Sequence, residues 1–277
     1  MKYLITGGSG FLGTRLIERL IAEGHKVKTI ARNEGKLIDL KNRFGVEIAF
    51  GDIANRFICE QFFEESDGVF HLAAFKHVTL AEKFAFECIN SNVIGSENVL
   101  EFGTKVKPKF IIGISTDKAS QVAGVYGATK LLMEKMFTQY EKIHPEINYR
   151  IVRYGNILYS TGSVLCKWKE SLLTGEDITV TCRDATRFFW TIDQAVDLIF
   201  DCLDKAENSA PFVPEMKSIR VGDLLDAMLL KYRPYNQIKV HEIGLQPGEN
   251  LHEKILEYGP YSNEVEQYSK EEILTMI

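Results

Sequence analysis

The sequence has little cysteine and no long apolar run, and both absences narrow its class. Its five cysteines are scattered over 277 residues without a Cys-x-x-Cys pair, so neither a disulfide framework nor a thiolate metal site is expected. No apolar run approaches the roughly 18 residues of a membrane helix, and no signal segment precedes the first predicted strand. The net charge of -5 gives no reason to expect nucleic acid as a partner. We therefore expect a cytoplasmic protein without a bound metal ion.

The alternation of strand and helix patterns before residue 157 predicts an α/β fold. Hydrophobic residues make up 45% of the chain, which is enough apolar surface for a large core. Strands are predicted at 3–6, 26–31, 47–50, 68–72, 109–115 and 149–154, and helices at 12–23, 88–102 and 126–140. Repeated units of this kind predict a Rossmann-type, doubly wound parallel sheet.

After residue 156 the predicted elements become shorter and less regular, which indicates a small C-terminal substrate-binding lobe. Helices are predicted at 163–173, 192–203 and 221–230, and strands at 178–181, near Phe212 and at 238–243. Residues 264–272 form either a terminal helix or a frayed end. We predict a dinucleotide-binding domain at 1–156 with about 188–213, and the substrate lobe at about 157–187 and 214–277.

A glycine motif follows the first predicted strand and opens the first predicted helix. Gly7, Gly10 and Gly13 are spaced three and three, a variant that suits the short-chain dehydrogenase/reductase superfamily. Glycines let the backbone approach a pyrophosphate, and the helix N-terminus offers unpaired amides and the positive end of a dipole. We predict a dinucleotide site here, which also includes Ser9, Phe11 and Leu12.

The residues after the second predicted strand bear on the choice between the two nicotinamide dinucleotides. NAD sites usually place an acid there to bind the ribose hydroxyls, whereas this chain has Arg32, followed by Asn33 and Lys36. The two cations favour the 2'-phosphate of NADP, and NAD is the less favoured alternative. Further cofactor contacts are predicted after the third and fourth strands, at Asp52, Ile53, Leu72, Ala73 and Ala74.

Tyr126 and Lys130 form a Tyr-x-x-x-Lys motif on the predicted helix 126–140. Because they are four residues apart, the two side chains share a helix face. The lysine ammonium and an oxidised nicotinamide both favour a phenolate, so we predict that the pKa of Tyr126 falls from about 10 towards neutrality. Tyr126 can then take a proton from a hydroxyl as hydride leaves the same carbon, with Thr116 hydrogen-bonded to that hydroxyl.

Asp117 and Lys118 lie between the fifth predicted strand and this helix. By position they are at the carboxyl end of a central strand, where α/β sheets bind their ligands. An ordinary alcohol dehydrogenase does not need an additional acid and base at this place. An enzyme that oxidises a sugar in order to remove water from it does. The alternative for this pair is a solvated ion pair in a turn.

Together these residues resemble the extended short-chain dehydrogenases that act on nucleotide sugars. Within them, the sequence is similar to the UDP-N-acetylglucosamine 4,6-dehydratases, especially the inverting kind used for pseudaminic acid and capsule polysaccharides. The triplet Thr116-Asp117-Lys118 is the most specific match, because dTDP-glucose dehydratases have Thr-Asp-Glu there and epimerases lack the pair. Other matching segments keep the family order and are 6–13, 71–78, 92–95, 126–130, 153–156, 162–164, 186–188 and 247–253.

The resemblance implies a lyase in which NADP is regenerated at the end of each turnover. Tyr126 deprotonates the C4 hydroxyl while hydride passes to NADP, and Lys118 then removes the C5 proton. Asp117, kept protonated by burial, protonates the departing C6 hydroxyl. The hydride returns to C6, and a proton returns to C5 with inversion. The implied product from UDP-N-acetylglucosamine is a UDP-2-acetamido-2,6-dideoxy-4-hexulose.

The resemblance also implies a set of binding residues. Asn156 and Arg187 are expected to meet the substrate diphosphate. The chain departs from the family at Thr161 and Gln246, where arginine is usual, so a charge-assisted bond worth about 1.5–3 kcal/mol is missing at each place. The full set is Lys76 and Tyr154 for the cofactor, and Lys76, His77, Asn156, Ser163, Val164, Arg187 and Glu249 for the substrate.

Two other readings of the sequence stay open. A nucleotide-sugar 4-epimerase or 4-keto reductase has the same fold, and Asp117 with Lys118 argues against both. A dinucleotide-binding redox sensor without turnover is the non-enzymatic alternative, and the intact Tyr126 and Lys130 argue against it. The helices 88–102 and 126–140 form a common dimer face in this superfamily, so a homo-oligomer, either a dimer or a hexamer, is expected.

Overall fold

The computed structural model describes residues 1–232 and 238–277. Its strands are β1 (Lys2–Thr6), β2 (Lys26–Ala31), β3 (Glu47–Phe50), β4 (Gly68–His71), β5 (Phe110–Thr116), β6 (Asn148–Tyr154), β7 (Asn156–Ile157), β8 (Ile178–Val180), β9 (Thr186–Trp190), β10 (Pro211–Phe212), β11 (Ser218–Arg220) and β12 (Val240–Glu242). Its helices are α1 (Phe11–Ala22), α2 (Glu34–Phe44), α3 (Arg56–Phe62), α4 (Val78–Lys83), α5 (Ala85–Ile89), α6 (Gly95–Lys105), α7 (Val125–Ile143), α8 (Val164–Thr174), α9 (Ile192–Lys205), α10 (Val221–Tyr232) and α11 (Lys270–Met276).

Seven parallel strands form the central sheet, in the order β10-β6-β5-β4-β1-β2-β3. The chain starts at β1, winds outwards through β2 and β3, and then crosses back to β4 on the other side of β1. Ligands of such sheets bind at the carboxyl ends of the strands, where the winding direction reverses. The predicted Rossmann-type α/β fold is confirmed, and the reversal lies between β1 and β4.

Apolar side chains cover both faces of this sheet. On one face, Leu16 and Leu20 of α1 pack with Ile199 of α9 in a shared buried core. On the other face, Val99 of α6 and Phe137 of α7 belong to a second core. Full burial of a side chain of this size contributes about 1.5–3 kcal/mol, so the two layers fix the sheet and the loops at its carboxyl edge.

The long helix predicted at 88–102 is not regular. Helix α5 ends at Ile89, a π-helical turn follows at Asn90–Ile94, and α6 begins at Gly95. This turn carries Asn92, whose side-chain oxygen accepts from the Phe75 backbone N–H at 2.7 Å and whose amide donates to the Phe75 carbonyl at 2.9 Å. The irregular turn therefore anchors the segment after β4, which no periodic pattern of apolar residues could predict.

The C-terminal part of the chain forms a third core of its own. Trp168 of α8, Leu225 of α10 and Ile273 of α11 lie in this core, beside a small sheet of β11, β9 and β7 and the pair of β12 and β8. Helix α9 packs with the first core and β10 pairs with β6. The domain boundaries themselves stay a prediction, and residues 233–237 of the predicted lobe lie outside the described residues.

Two further observations complete the fold. The end predicted at 264–272 is helical only from Lys270, because Ser269 and Glu272 form a capping box that starts α11 there. Within the ranges 1–232 and 238–277, none of the helices combines the length and the apolar character that crossing a membrane requires.

Candidate active site

A cleft of about 730 Å³ opens at the carboxyl edge of the central sheet. The glycine loop, the ends of β4 and β5, the start of α7 and the segment before α8 surround it. The sequence-predicted site residues line this cleft, with three exceptions, which are Asp117, Arg187 and Glu249. The structure therefore brings together residues that the sequence spreads from Gly7 to Val164.

The glycine loop has the backbone shape that a dinucleotide pyrophosphate needs. Gly7 has φ +75°, and a Cβ atom there would lie 2.7 Å from the Ala73 Cα. A Cβ at Gly13 would lie 2.6 Å from the Gly7 carbonyl oxygen. Gly10 is the N-cap of α1 and has no side chain to accept hydrogen bonds from the first backbone N–H groups of the helix. These N–H groups are therefore left to bind an anion. The residues present fit a bound dinucleotide.

The end of β2 places two cations on the cleft wall. Arg32 is largely exposed and its Nη1 lies 3.5 Å from Asp52 Oδ2, a weak ion pair. Asn33 caps α2, and its side-chain oxygen accepts from the Lys36 backbone N–H at 2.9 Å. The cap orients the first turn of α2, and Lys36 lies in that turn on the cleft wall.

Tyr126 and Lys130 lie in the first turns of α7, where Tyr126 is half-buried at the cleft and Lys130 is buried. Glu82 of α4 accepts a hydrogen bond from the Val125 backbone N–H at 2.7 Å and so fixes the start of the helix. Lys130 Nζ donates to the Ile114 carbonyl at 2.5 Å, which ties α7 to β5. Burial lowers the pKa of Lys130 to about 8, although nearby Glu134 acts in the opposite direction.

The prediction that the pKa of Tyr126 falls is wrong when only the protein's own groups act on the phenol. Burial raises the pKa of Tyr126 to about 12, and it outweighs Lys118 and the Thr116 hydroxyl, which act to lower it. The Lys130 ammonium points towards the Ile114 carbonyl, and this bond directs its charge to the strand. Both side chains line the same cleft, but the sequence could not show that burial opposes the ionisation of the phenol.

Asp117 and Lys118 form an ion pair in a short 3-10 turn directly after β5. Lys118 Nζ donates to Asp117 Oδ1 at 2.9 Å, and the Thr116 hydroxyl donates to the same oxygen at 2.8 Å. Burial lowers the pKa of Lys118, but the nearby carboxylates of Asp117 and Glu253 outweigh it and hold that pKa above its usual value. Asp117 is only 1% exposed, so the alternative of a solvated turn does not describe this pair.

Arg187 and Glu249 do not reach the cleft, contrary to their predicted role as substrate contacts. Arg187 Nη1 donates to the carbonyls of Thr186 and Leu251, at 2.8 and 2.9 Å. The Glu249 carboxylate accepts from the Gln246 backbone N–H at 3.1 Å and closes a local turn. In both cases nearby backbone groups satisfy the side chain, which a motif match cannot reveal.

The segment before α8 closes over the residues that follow β4. Lys76 Nζ donates to the Thr161 carbonyl at 2.8 Å, and burial lowers the pKa of Lys76. Gly162 has φ +76°, and a Cβ there would lie 2.8 Å from the His77 ring. Sequence reasoning missed several residues that line the cleft, because they belong to no motif with a chemical role. These are Leu80, Ser91, Ser115, Ser160 and Phe189.

The fold and the cleft define an extended short-chain dehydrogenase/reductase. The chain belongs to the polysaccharide biosynthesis protein family, which matches it over residues 3–275. It is 34% identical to an uncharacterised membrane protein of Methanocaldococcus jannaschii, over 91% of this chain and 79% of that one. It is 30% identical to the inverting UDP-N-acetylglucosamine 4,6-dehydratase of Campylobacter jejuni, over 90% of this chain and 75% of that one.

A solved structure supports the same assignment. The X-ray structure of Pen from Bacillus thuringiensis superposes with a TM-score of 0.93 at 28% identity, covering 99% of this chain and 95% of that one. Sequences named UDP-glucose 4-epimerase also match, at 29% identity for the one from Rickettsia bellii. The protein is therefore an enzyme of the nucleotide-sugar dehydratase and epimerase type.

Proposed function

We propose that the protein is an NADP-dependent nucleotide-sugar 4,6-dehydratase that acts on UDP-N-acetylglucosamine. The observation that carries the proposal is the buried Asp117–Lys118 pair beside Tyr126. A redox step alone needs Tyr126 and Lys130, whereas loss of water also needs one group to take a proton and another to give one. The inverting dehydratase of Campylobacter jejuni is among the relatives, so we propose inversion at C5 as well.

The cofactor proposal rests on the shape of the glycine loop and on two cations. Gly7, Gly10 and Gly13 leave room for a pyrophosphate at the start of α1. Arg32 and Lys36 line the cleft where the 2'-phosphate that distinguishes NADP from NAD is expected. A dinucleotide held here supplies the chemistry of taking hydride from C4 of the sugar and giving it to C6.

The protein's own groups move the protons. Lys118 first passes its proton to Asp117, 2.9 Å away, and becomes a neutral amine. Beside an oxidised nicotinamide, which favours the phenolate, Tyr126 takes the proton of the C4 hydroxyl. Lys118 Nζ then takes the proton from C5, which the neighbouring ketone makes acidic. Asp117 does not line the cleft itself, so it gives its proton to the C6 hydroxyl through the Thr116 hydroxyl, which is bonded to its Oδ1 and does line the cleft. The C6–O bond then breaks and water leaves. A proton then returns to C5. The balance is one sugar nucleotide in, and one 4-keto-6-deoxy sugar nucleotide and one water out.

The substrate contacts are proposed from the residues that line the outer cleft. Lys76 contributes an ammonium, and His77 and Asn156 contribute polar groups next to it. Ser163 and Val164 begin α8, so the N-terminus of this helix faces the same space. We propose that these residues hold the sugar and its diphosphate, and Arg187 and Glu249 are left out because their side chains bond locally.

Proton NMR of a reaction in deuterated water tests the function. Purified protein is incubated with UDP-N-acetylglucosamine and NADP, with no added reductant. We expect a product lighter by one water, with deuterium at C5 and the inverted configuration there. An isomer of unchanged mass would instead identify an epimerase, and unchanged substrate would favour a redox sensor without turnover.

We also propose a homo-oligomer built on the faces of α5 and α7. Phe86 on α5 is 87% exposed, Ile89 on α5 and Leu132 on α7 are also exposed, and the two helices contact each other. A contiguous exposed apolar patch often marks an interface, and we propose that these side chains belong to one. Light scattering should therefore give at least a dimer, and a monomer would contradict this proposal.

A further inference from the structure

Glu253 is a second buried carboxylate beside the acid–base pair, although it is distant from that pair in the sequence. Its side chain is 1% exposed, and its Oε1 lies 3.6 Å from Lys118 Nζ and 3.8 Å from Arg187 Nε. Oε1 accepts no hydrogen bond, and Oε2 accepts one from the Asn250 amide at 3.3 Å. Burying a carboxylate is costly, so the two neighbouring cations must compensate for it.

The backbone holds Glu253 in place independently of Lys118. Its N–H donates to Ser262 Oγ at 2.9 Å, and the Ser262 N–H donates to the Glu253 carbonyl at 2.8 Å. Ser262 Oγ also donates to the Thr186 carbonyl at 3.0 Å, which joins this segment to β9. The carboxylate is therefore presented to Lys118 by a rigid support, and Glu253 itself does not line the cleft.

We propose that Glu253 is a positioning residue, whose fixed carboxylate holds Lys118 as an ammonium against Asp117. It acts through Lys118 and does not touch the substrate. Asp117, Glu253, Lys118 and Arg187 form a cluster of two acids and two bases that is neutral when all four are ionised. Tyr126 also faces Lys118. Without the Glu253 charge the cluster is positive, so Lys118 releases its proton more readily.

The reactivity of the lysine tests this inference without using the enzyme's reaction. Only the neutral amine reacts with acetic anhydride, so trace acetylation followed by peptide mass spectrometry reports how far Lys118 is deprotonated. Labelling is measured at several pH values between about 8 and 10, relative to exposed Lys270 in the same sample. We expect Lys118 to label at least about tenfold faster in Glu253→Gln, which corresponds to a pKa at least one unit lower.

Two variants separate charge from packing. Glu253→Asp keeps the charge on a shorter side chain and should label within about threefold of the wild type. Glu266→Gln removes an exposed carboxylate of the same C-terminal segment, which pairs with Lys217, and should leave Lys118 unchanged. If Glu253→Gln labels like the wild type, or if Glu253→Asp labels as fast as Glu253→Gln, the inference is overturned.

The role of Glu253 in turnover rests on the proposed function, and the two can fail separately. If the enzyme is a dehydratase, Glu253→Gln should move the inflection of its pH–rate profile that belongs to Lys118 to lower pH. The KM for the sugar nucleotide should change by less than about twofold, because Glu253 does not line the cleft. If the wild type forms no product while Lys118 labels as expected in all variants, the proposed function is wrong. The inference that the charge of Glu253 keeps Lys118 protonated is then still supported.

Discussion

Replacing Asp117 by Asn tests the proposed elimination most directly. Asp117 Oδ1 accepts hydrogen bonds from Thr116 and from Lys118, at 2.8 and 2.9 Å, and an amide oxygen can accept both. The variant therefore keeps the local geometry but has no proton to give to the leaving hydroxyl. General acid–base catalysis by one positioned group contributes about 10²–10⁴-fold, or about 2.7–5.5 kcal/mol. We expect kcat for water loss to fall by that factor.

The same variant should also slow the exchange of the C5 proton. In the native protein Lys118 can become neutral by passing its proton across 2.9 Å to Asp117. In the variant this acceptor is lost, while Glu253 still holds the ammonium at 3.6 Å. We therefore expect little deuterium at C5 of the recovered UDP-N-acetylglucosamine, which proton NMR in deuterated water measures.

The controls for this experiment are affinity and an unrelated carboxylate. Calorimetry should give NADP affinity within about twofold of the wild type, because Asp117 does not line the cleft. Asp193→Asn removes an exposed carboxylate that pairs with Arg15, and it should leave turnover unchanged. Normal product formation by Asp117→Asn would refute the acid role. Normal C5 exchange without product would refute the coupling of the two residues.

Three further predictions concern the cofactor and stability. Arg32→Ala should weaken NADP binding by about tenfold and NAD binding far less, and equal calorimetric losses would contradict the NADP preference. Arg153→Met removes the two hydrogen bonds of 2.7 Å that Arg153 donates to the buried carboxylate of Glu134. The free energy of unfolding, measured in urea, should therefore fall by about 3–5 kcal/mol. A fall below about 1 kcal/mol would contradict this prediction. Burial lowers the pKa of His71 to about 3, so the stability it contributes is complete above about pH 6.5 and is lost as the pH falls towards 3. Between about pH 6.5 and 5, the free energy of unfolding of the wild type, measured in urea, should fall by about 2 kcal/mol more than that of His71→Asn. Equal falls in the two proteins would contradict this prediction.

Much of the fold could be predicted because its signals are local. The six strands before residue 157 lie within about two residues of their predicted bounds, since alternating buried strands and amphipathic helices leave a clear apolar pattern. The π-helical turn at Asn90–Ile94 could not be predicted, because the contact that it serves, between Asn92 and Phe75, joins two separate segments. The late start of α11 depends on a cap at Ser269, a signal that the sequence does contain.

In the candidate site, too, the sequence predicts which residues take part but not the surroundings that set their charge. The spacing of Tyr126 and Lys130 predicts that they share one helix face, and both line the cleft. What the sequence could not supply is the charge state, because that depends on burial and on residues far along the chain. Glu253 illustrates this, since it lies in the matched segment 247–253 but gains its importance only from its 3.6 Å distance to Lys118.

Thr161, one of the two positions where the resemblance implies an arginine, now has a structural context. Thr161 lines the cleft, and its carbonyl accepts a hydrogen bond from the ammonium of Lys76, so Lys76 places a cation beside the position where the resemblance implies an arginine. The groups proposed for the chemistry are tied to the packed sheet, as the bond from Lys130 to the Ile114 carbonyl on β5 shows. The groups proposed for recognition lie in loops or at the starts of elements, as Asn156 does in β7 and Val164 does in α8. Because the two sets rest on different supports, a change such as arginine to threonine at residue 161 can alter which sugar nucleotide is held while leaving the acid–base pair in place.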